Sequence, residues 1–375
     1  LNIFLSRAGF ETISSEMFHL HKLFFEDVSL TDDPAHVNEA DYRWILDVTE
    51  HGDRLTARAE LMRQGEESGC WVRVSERPAG TGEDERKRAF RRTVCSAMLQ
   101  ALQDATGLEQ PWGILTGVRP TKLMHNLLQK HSRIEAKRIL QEEYLVTERK
   151  AELLTEIAER QLKVIPDLFS LDREVSVYIG IPFCPTKCAY CTFPAYDIRG
   201  NNGSVAAFLE GLHYEIRETG RWLRQAGLKI TTIYWGGGTP TSIEAHEMDA
   251  LFETLHASFP DMSSIRELTV EAGRPDTITP DKIEVMRKWN VDRISINPQS
   301  FTQSTLDAIG RHHTVTETVE KFKLARELGM NNINMDLIIG LPDEGMEELE
   351  HSLAETEKLL PESLTVHTLS FKRAS

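Results

Sequence analysis

The spacing of apolar positions changes character near residue 172, which predicts two domains, residues 1–172 and 173–375. Upstream, Asp41 to Val48 and Leu55 to Met62 read as strands around the turn His51-Gly52-Asp53, and Cys70 to Ser75 as another, so a small antiparallel sheet is predicted. Gly80-Thr81-Gly82 then loosens the chain before the helical spacing of Arg86 to Thr106. The run from Ile134 to Val164 has the same spacing with abundant Glu, Lys and Arg. Its heptads are not sustained, so it reads as a solvated amphipathic helix pair and not as a coiled coil. The first domain is expected to be α+β.

Downstream, short β-branched runs alternate with amphipathic helical runs. Strands are predicted at Val175–Ile181, Ile230–Trp235, Leu268–Glu271, Arg293–Ile296, Asn332–Ile339 and Leu364–Leu369, with helices in the gaps. A succession of βα units implies a parallel sheet, because parallel neighbours need a crossover between them. The expected fold is therefore α/β, a partial (β/α)6 barrel preceded by the smaller α+β domain. The chain stops directly after the sixth strand, so the last helix is expected to be missing.

With 375 residues, 40% of them hydrophobic, the chain can bury one large core or two. Its formal charge of −15 argues against a protein that coats phosphate backbones, since that work rests on clustered Lys and Arg. A small-molecule partner is expected instead, and no nucleic acid. No stretch approaches the ~18 apolar residues of a membrane span, and Leu1-Asn2-Ile3-Phe4-Leu5 lacks the apolar run of a signal peptide, so a cytoplasmic location away from any membrane is predicted.

Five cysteines are an odd number for a disulfide framework. Three of them fall within Cys184-Pro185-Thr186-Lys187-Cys188-Ala189-Tyr190-Cys191, a CxxxCxxC spacing on the loop that follows the first predicted barrel strand. Structural zinc wants four ligands, and no His or fourth Cys lies nearby. A 4Fe-4S cubane with one open iron suits three thiolates better. Such an iron can chelate the amino and carboxylate groups of a methionine moiety, which is the arrangement of radical S-adenosylmethionine (SAM) chemistry. The loop also sits at the C-terminal end of a strand, where the active sites of parallel barrels lie. Cys70 and Cys95 are far from it and read as buried small hydrophobes. His312-His313 reads as a solvated helix start in preference to a pair of ligands, and Gly117 to Lys122 as a helix entry with Pro120 in the first turn in preference to a place where Arg119 and Lys122 hold an anionic carboxylate.

The segments Tyr178-Ile179-Gly180-Ile181-Pro182-Phe183-Cys184, Gly236-Gly237-Gly238-Thr239-Pro240, Gln299-Ser300-Phe301 and Gly310-Arg311 resemble the oxygen-independent coproporphyrinogen III oxidase family over most of residues 172–375. Gly117-Val118-Arg119-Pro120-Thr121-Lys122 and the long first domain look like its HemZ-type branch, the coproporphyrinogen dehydrogenases. The resemblance implies a cluster on Cys184, Cys188 and Cys191. It implies SAM contacts at Tyr178, Tyr190, Gly237, Gly238, Thr239, Glu271 and Ser370, with Gly236 beside them, and a second SAM held by Gln299, Arg311 and Asp336. Glycines there let backbone groups approach the SAM methionine, and an arginine can grip a carboxylate with two N–H groups.

The activity so implied is oxidative decarboxylation of coproporphyrinogen III to protoporphyrinogen IX. SAM is cleaved to methionine and a 5′-deoxyadenosyl radical, which takes hydrogen from a propionate; carbon dioxide leaves and a vinyl group forms. No side-chain acid or base is implied. The partners implied are a tetrapyrrole and an electron donor such as flavodoxin or ferredoxin. The chain departs from the family in having Gly180 where many members have His, and Thr192-Phe193 where another Cys follows the triad. That departure admits a haem chaperone of the same family as the alternative. Members continue into a further C-terminal domain, so truncation after Lys372-Arg373-Ala374-Ser375 is expected.

Overall fold

In the computed structural model of the chain, which describes residues 1–10, 15–65, 69–116, 119–193, 195–198 and 204–369, the first strand lies where no strand was predicted. Asn2–Ala8 (β1) buries Ile3, Phe4 and Leu5 in succession, without the alternation that marks a one-sided strand. After the helix Ser15–His21 (α1) come Ser29–Thr31 (β2), Tyr42–His51 (β3), Arg54–Arg63 (β4) and Cys70–Pro78 (β5). The sheet runs β2-β1-β3-β4-β5. Its β3-β4-β5 part is antiparallel as predicted, with Gly52 at φ +63° in the hairpin, but β1 pairs in parallel with both β2 and β3. The sheet is therefore mixed, not antiparallel throughout.

One face of this sheet, with Trp44, Leu46, Leu55, Ala57, Ala59 and Leu61, packs under the helix Glu83–Thr106 (α2) through Val94, Cys95, Met98, Leu99 and Leu102. Acidic Glu83, Asp84 and Glu85 complement the helix dipole at its start, and Gly107 at φ +70° ends it. Three further helices follow: Pro120–Leu128 (α3), Arg133–Tyr144 (α4) and Glu148–Val164 (α5). The α4–α5 pair accounts for the long charged run, and Ser132 caps α4 through Oγ. Pro120 opens α3 as expected, while Gly117 and Val118 lie outside the described residues.

Cys95 is buried, and desolvation pushes its thiol up to about 12. Cys70, expected to be buried, is exposed: it opens β5, which stands at the edge of the sheet, and its Sγ lies 3.6 Å from a Glu60 carboxylate oxygen.

The chain divides into two compact units, residues 1–168 and 169–375. The second contains Glu174–Ile181 (β6), Phe183–Cys184 (β7), Tyr196–Asp197 (β8), Val205–Ala226 (α6), Lys229–Gly237 (β9), Ala245–Ser258 (α7), Glu267–Val270 (β10), Pro280–Lys288 (α8), Arg293–Ser295 (β11), Gln303–Ala308 (α9), Val315–Glu327 (α10), Ile333–Ile339 (β12), Met346–Leu359 (α11) and Ser363–Thr368 (β13). Six strands pair in parallel in the order β13-β12-β11-β10-β9-β6, all six near their predicted positions. The architecture is the α/β one expected, an open barrel sheet with helical crossovers. Among the described residues, β6 and β13 form the two edges of this sheet, each paired on one side alone.

Strand alternation divides this sheet into two chemically different faces. Ile179, Ile233, Trp235, Ile333, Met335 and Leu337 join the helices in one apolar core, where the Trp235 ring stacks on Phe252 at 4.2 Å. The intervening positions Tyr234, Asn334, Asp336 and Thr365 line a polar interior. No helix among the described residues is long and apolar enough to cross a membrane.

Candidate functional site

At the C-terminal ends of the barrel strands lies a cavity of about 540 Å³. Cys184, Cys188 and Cys191 all line it, together with Tyr190, Gly237, Gly238, Thr239, Glu271, Gln299, Arg311 and Asp336. The structure thus brings together every predicted site residue except two: Tyr178, which stands beside the cavity, and Ser370, which lies outside the described residues. A larger cavity of about 670 Å³ lies in the first unit between β5, α2 and α4. No thiol lines it, so residue chemistry and not size selects the barrel mouth.

The cysteine loop is held by backbone bonds. Cys184 ends β7, which pairs with β8; Cys191 N–H donates to the Cys188 carbonyl at 3.1 Å, and Ala189 N–H to the Ile309 carbonyl at 3.0 Å. Thr239 is buried with Oγ1 at 3.4 Å from Cys184 Sγ. Burial pushes the Cys184 thiol up, and Cys188 and Cys191 push the same way against Thr239 and Arg274. Burial also raises the Tyr190 phenol; Arg311 opposes that and Cys188 adds to it.

The glycines have an immediate structural reason. A Cβ on Gly236 would come within 2.8 Å of Tyr178 Oη and 2.9 Å of Glu271 Oε2, and one on Gly238 within 2.6 Å of the Phe183 carbonyl and 3.0 Å of Cys184 Sγ. Gly237 has φ +107°, a conformation that favours glycine. The strand end can then bond the cysteine loop directly: Gly238 N–H donates to Ile181 O at 2.8 Å and Thr239 N–H to Phe183 O at 2.7 Å.

Tyr178 stacks on Tyr234 at 5.8 Å, and Tyr234 donates its hydroxyl to Glu271. Burial raises the Glu271 carboxyl above the usual range; Tyr234 opposes and Asp336 reinforces that shift. Asp336 accepts from Asn297 Nδ2 at 2.9 Å and Asn334 Nδ2 at 2.6 Å. Gln299 adopts φ +67°, a left-handed conformation costly for a residue with a Cβ, and is pinned there by a backbone bridge to Leu337. Arg311 is buried and donates through Nη1 to Asn297 O and through Nη2 to Gly273 O at 3.4 Å.

Several buried polar atoms around this cavity lack protein partners: Asn297 Oδ1, Gln299 Oε1 and Arg311 Nε. Such atoms are costly to bury unless a ligand completes them. Among the described residues no three His, Cys, Asp or Glu side chains converge on one point as a single metal ion requires. A cubane makes no such demand, because each thiolate takes a separate iron. The donor set fits that cluster, and the unpartnered polar atoms fit a polar ligand beside it.

The radical SAM superfamily profile matches residues 178–355. The chain is 53% identical over 364 residues to the oxygen-independent coproporphyrinogen-III oxidase-like protein HemZ of Bacillus subtilis, covering 95% of this chain and 70% of that protein. This chain belongs to the radical SAM family of oxygen-independent coproporphyrinogen-III oxidase-like proteins. Proteins of the radical SAM family use a 4Fe-4S cluster and SAM.

A second relative, the haem chaperone HemW of Bacillus subtilis, is 36% identical over 194 residues, or 52% of this chain and 50% of that one. The solved coproporphyrinogen III oxidase HemN of Escherichia coli matches with a TM-score of 0.49 and 26% identity over 56% of this chain and 47% of that one. The chain thus spans about half the length of both the chaperone and the solved oxidase.

Sequence reasoning missed Tyr234, Arg274 and Asn297. Tyr234 shares strand parity with Gly236, so extending the period of two back along β9 would have found it. Arg274 and Asn297 lie in loops with no periodic signal. His313, expected in a solvated helix start, is fully buried, and neither ring nitrogen has a well-formed partner; only its neighbour His312 is exposed. Burial first, then Arg311, lowers its pKa to about 3, against Asp276 and, more weakly, the Pro298 carbonyl. The segment between α9 and α10 turns inward at that residue, which spacing along the chain does not reveal.

Proposed function

We propose that the chain carries out the oxygen-independent oxidative decarboxylation of coproporphyrinogen III to protoporphyrinogen IX. The observation that carries the reading is the single cavity uniting three thiols with Glu271, Gln299, Arg311 and Asp336, in a chain 53% identical to an oxidase-like protein. When bound, the cluster and SAM supply a one-electron donor and a radical able to take hydrogen from a propionate.

In this reading Cys184, Cys188 and Cys191 hold the cluster. Tyr178, Tyr190, Gly237, Gly238, Thr239 and Glu271 surround the first SAM, and Gln299, Arg311 and Asp336 hold a second. Arg311 Nε and Gln299 Oε1, unpartnered and buried, are suited to bind and orient that polar ligand. Burial keeps water from the reacting atoms. Each of the two propionates that react loses one hydrogen atom, one electron and carbon dioxide to become a vinyl group, so an external electron acceptor completes the balance.

The test is an anaerobic incubation of reduced, reconstituted protein with SAM and coproporphyrinogen III, analysed for 5′-deoxyadenosine and for vinyl product. Both are expected. The similarity to the haem chaperone favours one alternative, a protein that binds haem. Stoichiometric haem binding without vinyl product would replace the oxidase reading with that one.

A further inference from the structure

The thiols of the cavity do not have equivalent surroundings. Cys184 faces the neutral Thr239 hydroxyl, whereas Cys188 Sγ lies 3.8 Å from Nη1 of Arg274. Arg274 follows β10, is only 2% exposed, and is held on two sides. Its Nε and Nη2 donate to the two oxygens of Asp276, both at 3.0 Å, while Nη1 also donates to Thr186 Oγ1 at 3.1 Å. Thr186 in turn donates to the Gly310 carbonyl at 3.2 Å. A planar guanidinium gripped by both ends has little freedom to leave the sulfur it faces.

The charge of this arginine is secure. A guanidinium stays protonated in proteins, and the Asp276 carboxylate lies against its far side. A fixed cation and N–H donor beside a thiolate ligand stabilises whichever state carries more negative charge, and a cluster gains negative charge when it accepts an electron. A buried, low-dielectric setting strengthens the effect. Resting on the assignment of the cluster to the three cysteines, we propose that Arg274 is a positioning residue that raises the reduction potential of the cluster through Cys188. Asp276 aims it and partly offsets its charge.

The test is a potentiometric titration of the reconstituted full chain, followed by electron paramagnetic resonance, with iron content measured in parallel. Arg274→Gln is expected to shift the midpoint negative. Asp276→Asn, which removes the opposing anion, is expected to shift it positive, and Arg274→Lys to fall between Arg274→Gln and the unsubstituted chain. A purely structural pair would move both variants the same way or not at all, and either result overturns the proposal. If Arg274→Gln fails to retain iron, Asp276→Asn decides alone: a positive shift supports the proposal, and no shift or a negative one overturns it. An unsubstituted chain that builds no cluster would instead overturn the cluster assignment beneath it.

Discussion

Each unit buries one histidine to zero exposure, and the two are treated differently. In the first, His21 accepts from Trp44 Nε1 at 2.7 Å through Nε2 and bonds the Met17 carbonyl at 2.7 Å through Nδ1, so both ring nitrogens are satisfied. In the second, His313 sits among Arg311, Arg274 and Asp276 without a well-formed bond on either nitrogen. The contrast extends to their surroundings. The first unit leaves buried Nε atoms of Arg43, Arg77 and Arg92 without a hydrogen-bond partner one by one, whereas at the barrel mouth Asn297 Oδ1, Gln299 Oε1 and Arg311 Nε are left so on residues lining one cavity. A buried polar group is costly to leave unpaired, and groups gathered on one cavity are those that one bound polar ligand can complete together.

The largest expected effect breaks the second region and leaves the first intact. Cys188→Ala should abolish the brown cluster chromophore and SAM cleavage without changing the unfolding of the first unit, because three thiolates are the minimum anchorage for the cluster. A Cys188→Ala protein with full SAM cleavage would defeat the cluster assignment.

A smaller effect sharpens the same point. In Gly238→Ala the new Cβ would sit 2.6 Å from the Phe183 carbonyl and 3.0 Å from Cys184 Sγ, both in the short strand that carries the first cysteine. Displacing that strand should slow SAM cleavage about tenfold or more, equivalent to ~1.4 kcal/mol of barrier. An unchanged rate with unchanged iron content would show that the loop tolerates the shift.

The third prediction concerns the first region alone. Burial lowers His21 from 6.5 to about 4, against support from the Met17 carbonyl. Between those values the unfolded chain binds a proton that the folded chain does not, so stability is complete above pH ~6.5 and lost as pH falls through 4. The loss should approach about 3 kcal/mol. Denaturant unfolding across this range should show it, and His21→Gln, which keeps an acceptor and a donor but cannot titrate, should flatten that part of the pH dependence. A variant with the same slope as the unsubstituted chain would remove His21 as its source.

The cysteine loop and its place at a strand end were legible before the fold was known because their signals are local, whereas the SAM contacts were named from the family resemblance. The CxxxCxxC spacing, the Gly-Gly-Gly-Thr-Pro turn and Glu271 follow predicted strand ends, and parallel strands bring such ends to one rim. β1 was illegible because its apolar residues run consecutively and its partners, β2 and β3, lie far along the chain. Cys70 was misjudged because burial depends on whether a strand lies at an edge, and its own residues do not reveal that.

By itself, then, the sequence determined the periodicities that build six parallel strands and the cysteine loop that ends the first of them. Those are short-range properties of bonded neighbours and of side-chain alternation. Only the tertiary structure decided that Arg274 would reach Cys188 across 86 residues and Thr186 reach Gly310 across 124. It likewise decided that His313 would be buried, and which polar atoms at the barrel mouth would be left without a partner. Those outcomes depend on how strands and loops converge in space, and no local pattern encodes that convergence.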